Sequence, residues 1–266
     1  MPGLPGAATP FELLLFTTSV PVVSAAAAAG IDAIVVDWEA RGKDVRQVGA
    51  DTQINHDTLE DLERVRAVTA GTVICRINGP DVTTREEIEA AILAGADELL
   101  VPMVRHVDQV RRIHDLVAGR CGVGILVETN EAVSRASELG RLPLSRVFVG
   151  MNDLAIERGT PSIFTSLTDG TIDQVRQPFV VPFGFGGLTL PHRGFPVPCH
   201  LLIGEMVRLR CSFSFLRRSF LRDVPLDRFD GAVADIRAAL IDAEGRRMGQ
   251  VASDCQALAS VLSVGL

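Results

Sequence analysis

The sequence predicts a (β/α)8 barrel, the TIM-barrel architecture, followed by a C-terminal helical extension. Its apolar runs do not alternate with polar residues, as expected of strands buried on both faces. Those runs alternate with segments of helical periodicity, which makes the sheet parallel. Eight such units suit a chain of 266 residues, close to the ~250 residues typical of a barrel. An open doubly wound sheet is the alternative, but TTSVP stands at 17–21, where a dinucleotide-binding G-x-G-x-x-G would follow the first strand. The expected division is a barrel over 1–245 and a C-terminal helix over 246–266 that is available as a subunit contact.

The first strand is FELLLFTT at 11–18, and the Ala-rich helix after it is closed by Gly30, since glycine enters the left-handed region after a last turn at little cost. AIVVDW at 33–38 is the second strand. A polar connection through Asn55 leads to a helix at 58–68 with Leu59, Leu62, Val65 and Ala67 at mostly helical spacing, then to TVICRIN at 72–78, the third strand. The helix at 84–94 opens on Thr84-x-x-Glu87, a capping-box pattern, and stops before Gly95. ELLVPMV at 98–104 is the fourth strand, and 107–117 the next helix. The fifth strand ends GILVE at 124–128, a helix spans about 131–139, and VFVGMND at 147–153 is the sixth strand. Residues 156–182 are less regular. A strand at 183–188, a helix at 200–210 and a strand at 212–216 complete the barrel. Helices follow from Leu226, with Phe229, Val233, Ile236 and Leu240, then Val251, Leu258 and Val261, at helical spacing.

Composition narrows the chemistry. A net charge of -7 argues against a nucleic-acid partner. No apolar run reaches the roughly 20 residues of a membrane span, and the start lacks a basic region ahead of an apolar one, so the expected location is cytoplasmic. The five cysteines, Cys75, Cys121, Cys199, Cys211 and Cys255, are widely spaced and form no C-x-x-C, so neither a disulfide framework nor a zinc site is indicated. Lys43 is the only lysine and lies in the polar stretch RGKDVRQ. Without an apolar pocket to depress its pKa it is a poor imine-forming nucleophile, which argues against Schiff-base chemistry.

In a barrel the reactive groups sit at the C-terminal strand ends. Read off in order, these are Thr17, Thr18, Asp37, Glu39, Arg76, Asn78, Pro102, Glu128, Asn152, Asp153, Thr189, Arg217 and Arg218. Glu128 and Asp153 end two neighbouring apolar runs. Paired carboxylates on one rim suit a hard divalent cation such as Mg²⁺, and the same residue types also serve as helix N-caps; both readings stand on the segments alone. Arg76, ending an apolar strand, offers a planar fork for a carboxylate or enolate oxygen, or a structural ion pair with Asp37 or Glu39. Arg217 and Arg218, in CSFSFLRRSF at 211–220, can bind a distal carboxylate or phosphate, or pair with the C-terminal helices.

Taken in order, DWE at 37–39, RIN at 76–78, VET at 127–129 and GMNDLAIERG at 150–159 resemble the HpcH/HpaI aldolase and citrate lyase β-subunit superfamily of metal-dependent C–C lyases. The resemblance spans about residues 11–159. It implies that Arg76 contacts the oxygens of a 2-oxo acid such as pyruvate or oxaloacetate, and that Glu128 and Asp153 bind Mg²⁺, Mn²⁺ or Co²⁺. It implies too that backbone N–H groups of Gly150, Met151 and Asn152 help hold the substrate carboxylate, beside an aldehyde or acyl-CoA partner in a homo-oligomer (trimer or hexamer). A metal-stabilised enolate needs no covalent intermediate, which agrees with the lysine argument. Two departures matter. Ala40 stands where the aldolase branch carries the histidine that acts through water as base, and no stretch supplies the citrate-lyase branch's C-terminal G-F-D-G-K-x-x-I-H-P. Replacement acid/base candidates are Glu39, His56 and Lys43, with Glu39 read chiefly as support for the site beside Asp37. The alternatives are a CoA-thioester lyase or hydrolase of the citrate lyase β type, and a barrel without catalysis that serves as a binding subunit.

Overall fold

The structure, a computed structural model, describes residues 10–41 and 57–264. Its strands are β1 (Glu12–Phe16), β2 (Ala33–Asp37), β3 (Thr72–Arg76), β4 (Glu98–Val101), β5 (Gly122–Val127), β6 (Val147–Val149), β7 (Phe183–Phe185) and β8 (Phe213–Phe215). They form one parallel sheet in the order β7-β6-β5-β4-β3-β2-β1-β8, so the chain winds in sequence and brings β8 back beside β1. Only the seam between β7 and β8 lacks a full ladder. A bridge at Leu188↔Leu216, a bond from Ser212 N to Phe183 O (2.9 Å) and one from Arg217 N to Leu188 O (2.8 Å) span it. The Ser214 hydroxyl adds a bond to Phe185 O at 2.7 Å. The result is a nearly closed (β/α)8 barrel. Gly184 makes the seam possible, because a Cβ there would overlap the carbonyl oxygen of Phe213.

Alternate strand residues point to two cores, which explains the unbroken apolar runs. Leu14, Val35, Ile74, Leu100, Leu126, Phe148, Phe213 and Phe215 fill the barrel interior. Their neighbours Leu13, Leu15, Val36, Val73, Leu99, Val101, Ile125 and Val127 face the helices. The N-terminal end is closed by a buried ion pair that the strand pattern does not announce. Arg146 Nε donates to Glu98 Oε1 at 2.7 Å, Nη1 donates to Glu12 Oε2 at 3.0 Å, and the guanidinium lies 4.9 Å over the Phe213 ring.

Helices α1 (Val20–Ala28), α2 (Leu59–Val68), α3 (Arg85–Leu93) and α4 (Val107–Val117) follow the expected periodicity. Gly30 takes φ 79, as a residue beyond a C-cap should. The sixth strand is shorter than the sequence reading: β6 stops at Val149 and α7 (Met151–Arg158) begins at once, so Asp153 lies in a first helical turn and not at a strand end. The helix expected at about 131–139 divides into α5 (Asn130–Ser134) and α6 (Ala136–Leu139), and the irregular stretch contains α8 (Thr165–Thr168) and α9 (Thr171–Arg176). After α10 (Cys199–Arg208) and β8 comes a short helix, α11 (Arg218–Asp223), in a stretch where the sequence reading placed no helix. Then α12 (Phe229–Glu244) packs against α10 and α1, and α13 (Met248–Val264) against α10 and α8. All five cysteines are free, and burial pushes the thiols of Cys121 and Cys199 up to about 11. Among the described residues no helix is long and apolar enough to cross a membrane.

Candidate active site

Glu128 follows β5 directly and is buried. Its Oε1 accepts the Met103 N–H at 2.7 Å, from a loop after β4 in which Met103 holds φ 53, a strained conformation for a residue with a side chain. The helix after β5 is capped by Thr129, whose hydroxyl accepts from Ala132 N at 3.1 Å, so Glu128 is not a cap. The N-cap of α7 is Gly150, and Asp153 is the third residue of that helix. Neither carboxylate fills an N-cap position. Gly150 is required by close approach: a Cβ there would overlap the Glu128 carboxylate.

The carboxyl group of Glu128 is held well above the ordinary carboxylate range. Burial is the main cause, the charges of Asp153 and Glu39 add to it, and the Met103 N–H and Arg76 act against it. The three acids thus share one electrostatic space. Arg76, at the end of β3, directs a two-pronged fork at Asp37, with Nε to Oδ1 at 2.8 Å and Nη2 to Oδ2 at 2.7 Å. Nη1 lies 3.4 Å from Glu39 Oε2, and the guanidinium sits 4.9 Å over the Phe16 ring. Burial disfavours this charge, yet Asp37 and Glu39 outweigh it and raise the pKa of Arg76. The ion pair with Asp37 that the sequence allowed is therefore present, at the same rim as Glu128.

Asp37 and Glu39 pair with Arg76, and Glu39 and Asp153 lie close enough to Glu128 to disfavour its anion, an acidic rim that suits a cation. Among the described residues no group of three or more His, Cys, Asp or Glu is arranged to hold a metal ion. A two-carboxylate arrangement fits Mg²⁺, which takes one or two protein carboxylates and completes its shell with water and substrate oxygens. It does not fit a fully protein-caged ion such as structural zinc.

Asn78 organises the loop beyond β2: its Oδ1 accepts from Ala40 N (3.1 Å) and Arg41 N (3.0 Å), while its own N and Nδ2 donate to Glu87 Oε1. His56 and Lys43 lie outside the described residues. The Met151 side chain is buried, so only its backbone is available to a ligand; Asn152 leaves a buried Nδ2 without a hydrogen-bond partner. Arg217 and Arg218 follow β8, separated from β2 by β1. Arg217 is half-buried and Arg218 exposed. Sequence reasoning missed Asp57, whose Oδ2 accepts the Asp37 backbone N–H at 2.9 Å. Burial raises its pKa against the opposing effect of that bond, with Asp37's charge adding to the rise. No local signal marked it, since an acid directly before the Thr58-x-x-Asp61 cap reads as part of a helix start.

Two likenesses place the chain among known proteins. The family model described as HpcH/HpaI aldolase/citrate lyase matches residues 13–165. The crystal structure of the HpcH/HpaI aldolase from Desulfitobacterium hafniense DCB-2 superposes with a TM-score of 0.61 at 15% sequence identity, covering 81% of this chain and 90% of that one. At that identity the likeness speaks for a shared fold. No curated protein sequence matches.

Proposed function

Because the chain belongs to the HpcH/HpaI aldolase/citrate lyase family, a family of lyases, we propose that it is a divalent-metal-dependent C–C lyase acting on a 2-oxo acid such as pyruvate or oxaloacetate. The observation that carries this reading is the meeting of Glu128, Asp153, Glu39 and Arg76 at one rim, with Glu128 destabilised as an anion by burial first and by its acidic neighbours in addition. Glu128 and Asp153 are the residues to hold Mg²⁺, Mn²⁺ or Co²⁺. When bound, such an ion supplies Lewis-acid charge to the carbonyl and carboxylate oxygens of the oxo acid.

The chain's own residues do the rest. Arg76, preset by Asp37, donates N–H to oxygen charge that develops as the C–C bond breaks, and a donor already oriented needs no reorganisation in the transition state. The Gly150 N–H, expected to help hold the substrate carboxylate, already donates to Val127 O at 3.1 Å, which leaves the N–H groups of Met151 and Asn152, in the first turn of α7, as those that suit the carboxylate. Arg217 is the candidate for a distal anionic group. Retro-aldol cleavage and oxaloacetate decarboxylation with each of the three metals test the reading. Glu128→Ala combined with Asp153→Ala is expected to abolish turnover, and full activity in that double variant would overturn it.

Ala40 favours a second reading, a barrel that binds a small carboxylate without turning it over, because the family's proton-transfer histidine is missing there. Calorimetric titration with Mg²⁺ and pyruvate followed by turnover assays separates the two: binding without turnover supports the second.

A further inference from the structure

β1 ends at Phe16, paired with Val35 of β2, so the sheet offers no ladder partner on that side for the N–H of Asp37 two residues on. Asp57 supplies it, accepting that N–H at 2.9 Å, and its carboxylate also accepts a bond from the Thr18 side chain. One side chain thereby ties the end of β1, the end of β2 and the start of α2. A second tie runs alongside, from Trp38 Nε1 to Thr58 O at 3.0 Å. Helix capping does not account for this placement, since Thr58 and Asp61 form the capping box of α2 by themselves. The half-buried Asp57 sits close enough to Asp37 to feel its charge, an unfavourable pairing for a residue with no task there. The residue it holds, Asp37, carries the forked contact to Arg76.

We propose that Asp57 is a positioning residue for Arg76: by anchoring the backbone of Asp37 it sets the direction of the carboxylate that orients the guanidinium. The consequence for turnover rests on the lyase reading above; the consequence for Arg76 geometry does not. Asp57→Asn preserves both bonds, its amide oxygen accepting from Asp37 N–H and its NH₂ donating to Thr18. Asp57→Ala removes both.

The decisive measurement is the Nε–H resonance of Arg76 in a ¹⁵N-correlated NMR spectrum, assigned by its loss in Arg76→Lys. In Asp57→Ala it is expected to move toward the position of solvent-exposed arginines and to exchange faster, while Asp57→Asn keeps the native signal. In active enzyme, Asp57→Ala should lower kcat on the order of 10-fold or more, as small misplacements of catalytic groups do, with KM changed much less and Asp57→Asn restoring the rate. A native Arg76 signal in Asp57→Ala overturns the proposal. If Asp57→Ala does not fold, Asp57→Glu, which moves the carboxylate by one methylene, takes its place with the same two outcomes. Should the native protein prove inactive on 2-oxo acids, the lyase reading falls while the NMR comparison still decides the role of Asp57.

Discussion

Glu128 is costly as a free anion: it is buried, it faces Asp153 and Glu39, and Met103 N–H and Arg76 only partly compensate. Its raised pKa has a stability consequence of definite sign. Below the ordinary value of 4.5 both folded and unfolded chains hold the proton and the shift has no effect. As pH rises above that value the unfolded chain releases its proton first, so stability falls with pH up to the raised folded pKa and stays low beyond it. Metal-free protein should therefore unfold at lower urea concentration at pH 8 than at pH 5, and Glu128→Gln should be more stable than the native chain at pH 8. Added Mg²⁺ should return stability to the native protein and not to the variant. A Glu128→Gln variant with lower stability at pH 8 would count against this account of the site. Which residues join Glu128 was partly readable: Asp153, Arg76 and the DWE acids stand at the ends of apolar runs. Asp57 was not, because nothing local distinguishes an acid that reaches back twenty positions from one that begins a helix.

Helix ends show how local chemistry is redirected by neighbours. Thr84-x-x-Glu87 reads as a capping box, and Thr84 does accept from Glu87 N at 3.1 Å. Glu87 itself turns away to Asn78, because the clamp on the Ala40 loop needs that carboxylate. A complete box is found at Thr58, where Asp61 replaces the usual glutamate. Thr58→Ala should cost about 1 kcal/mol in urea denaturation, the usual worth of an N-cap, whereas no loss would show that the Trp38 and Asp57 ties alone secure α2. Likewise β6 and α7 merge in the sequence as one apolar run, VFVGMNDL. The break at Gly150 is made by packing against Glu128, a contact between segments that no reading of either one contains.

At the scale of the whole molecule, barrel closure depends on a seam of a few bonds between β7 and β8. Gly184→Ala places a methyl against the Phe213 carbonyl and should destabilise the protein by about 1–3 kcal/mol, the usual cost of overpacking. Stability within about 0.5 kcal/mol of native, the range of a neutral surface change, would mean that the seam can open at little cost. The buried Glu98–Arg146 pair closes the opposite end and was illegible in the sequence, since an arginine ahead of one strand and a glutamate opening another look like ordinary surface residues until the sheet curls. By itself the sequence determined the eight-fold alternation of strand and helix and the rim on which chemistry-bearing side chains gather. These follow from periodicity and residue type, which act over a few residues. Only the tertiary structure decided that Glu128 and Asp153 are not helix caps, that Arg76 is already gripped by Asp37, and that Asp57 stands behind that grip. Those facts are distances between strands far apart in the chain, and only the closed sheet sets them.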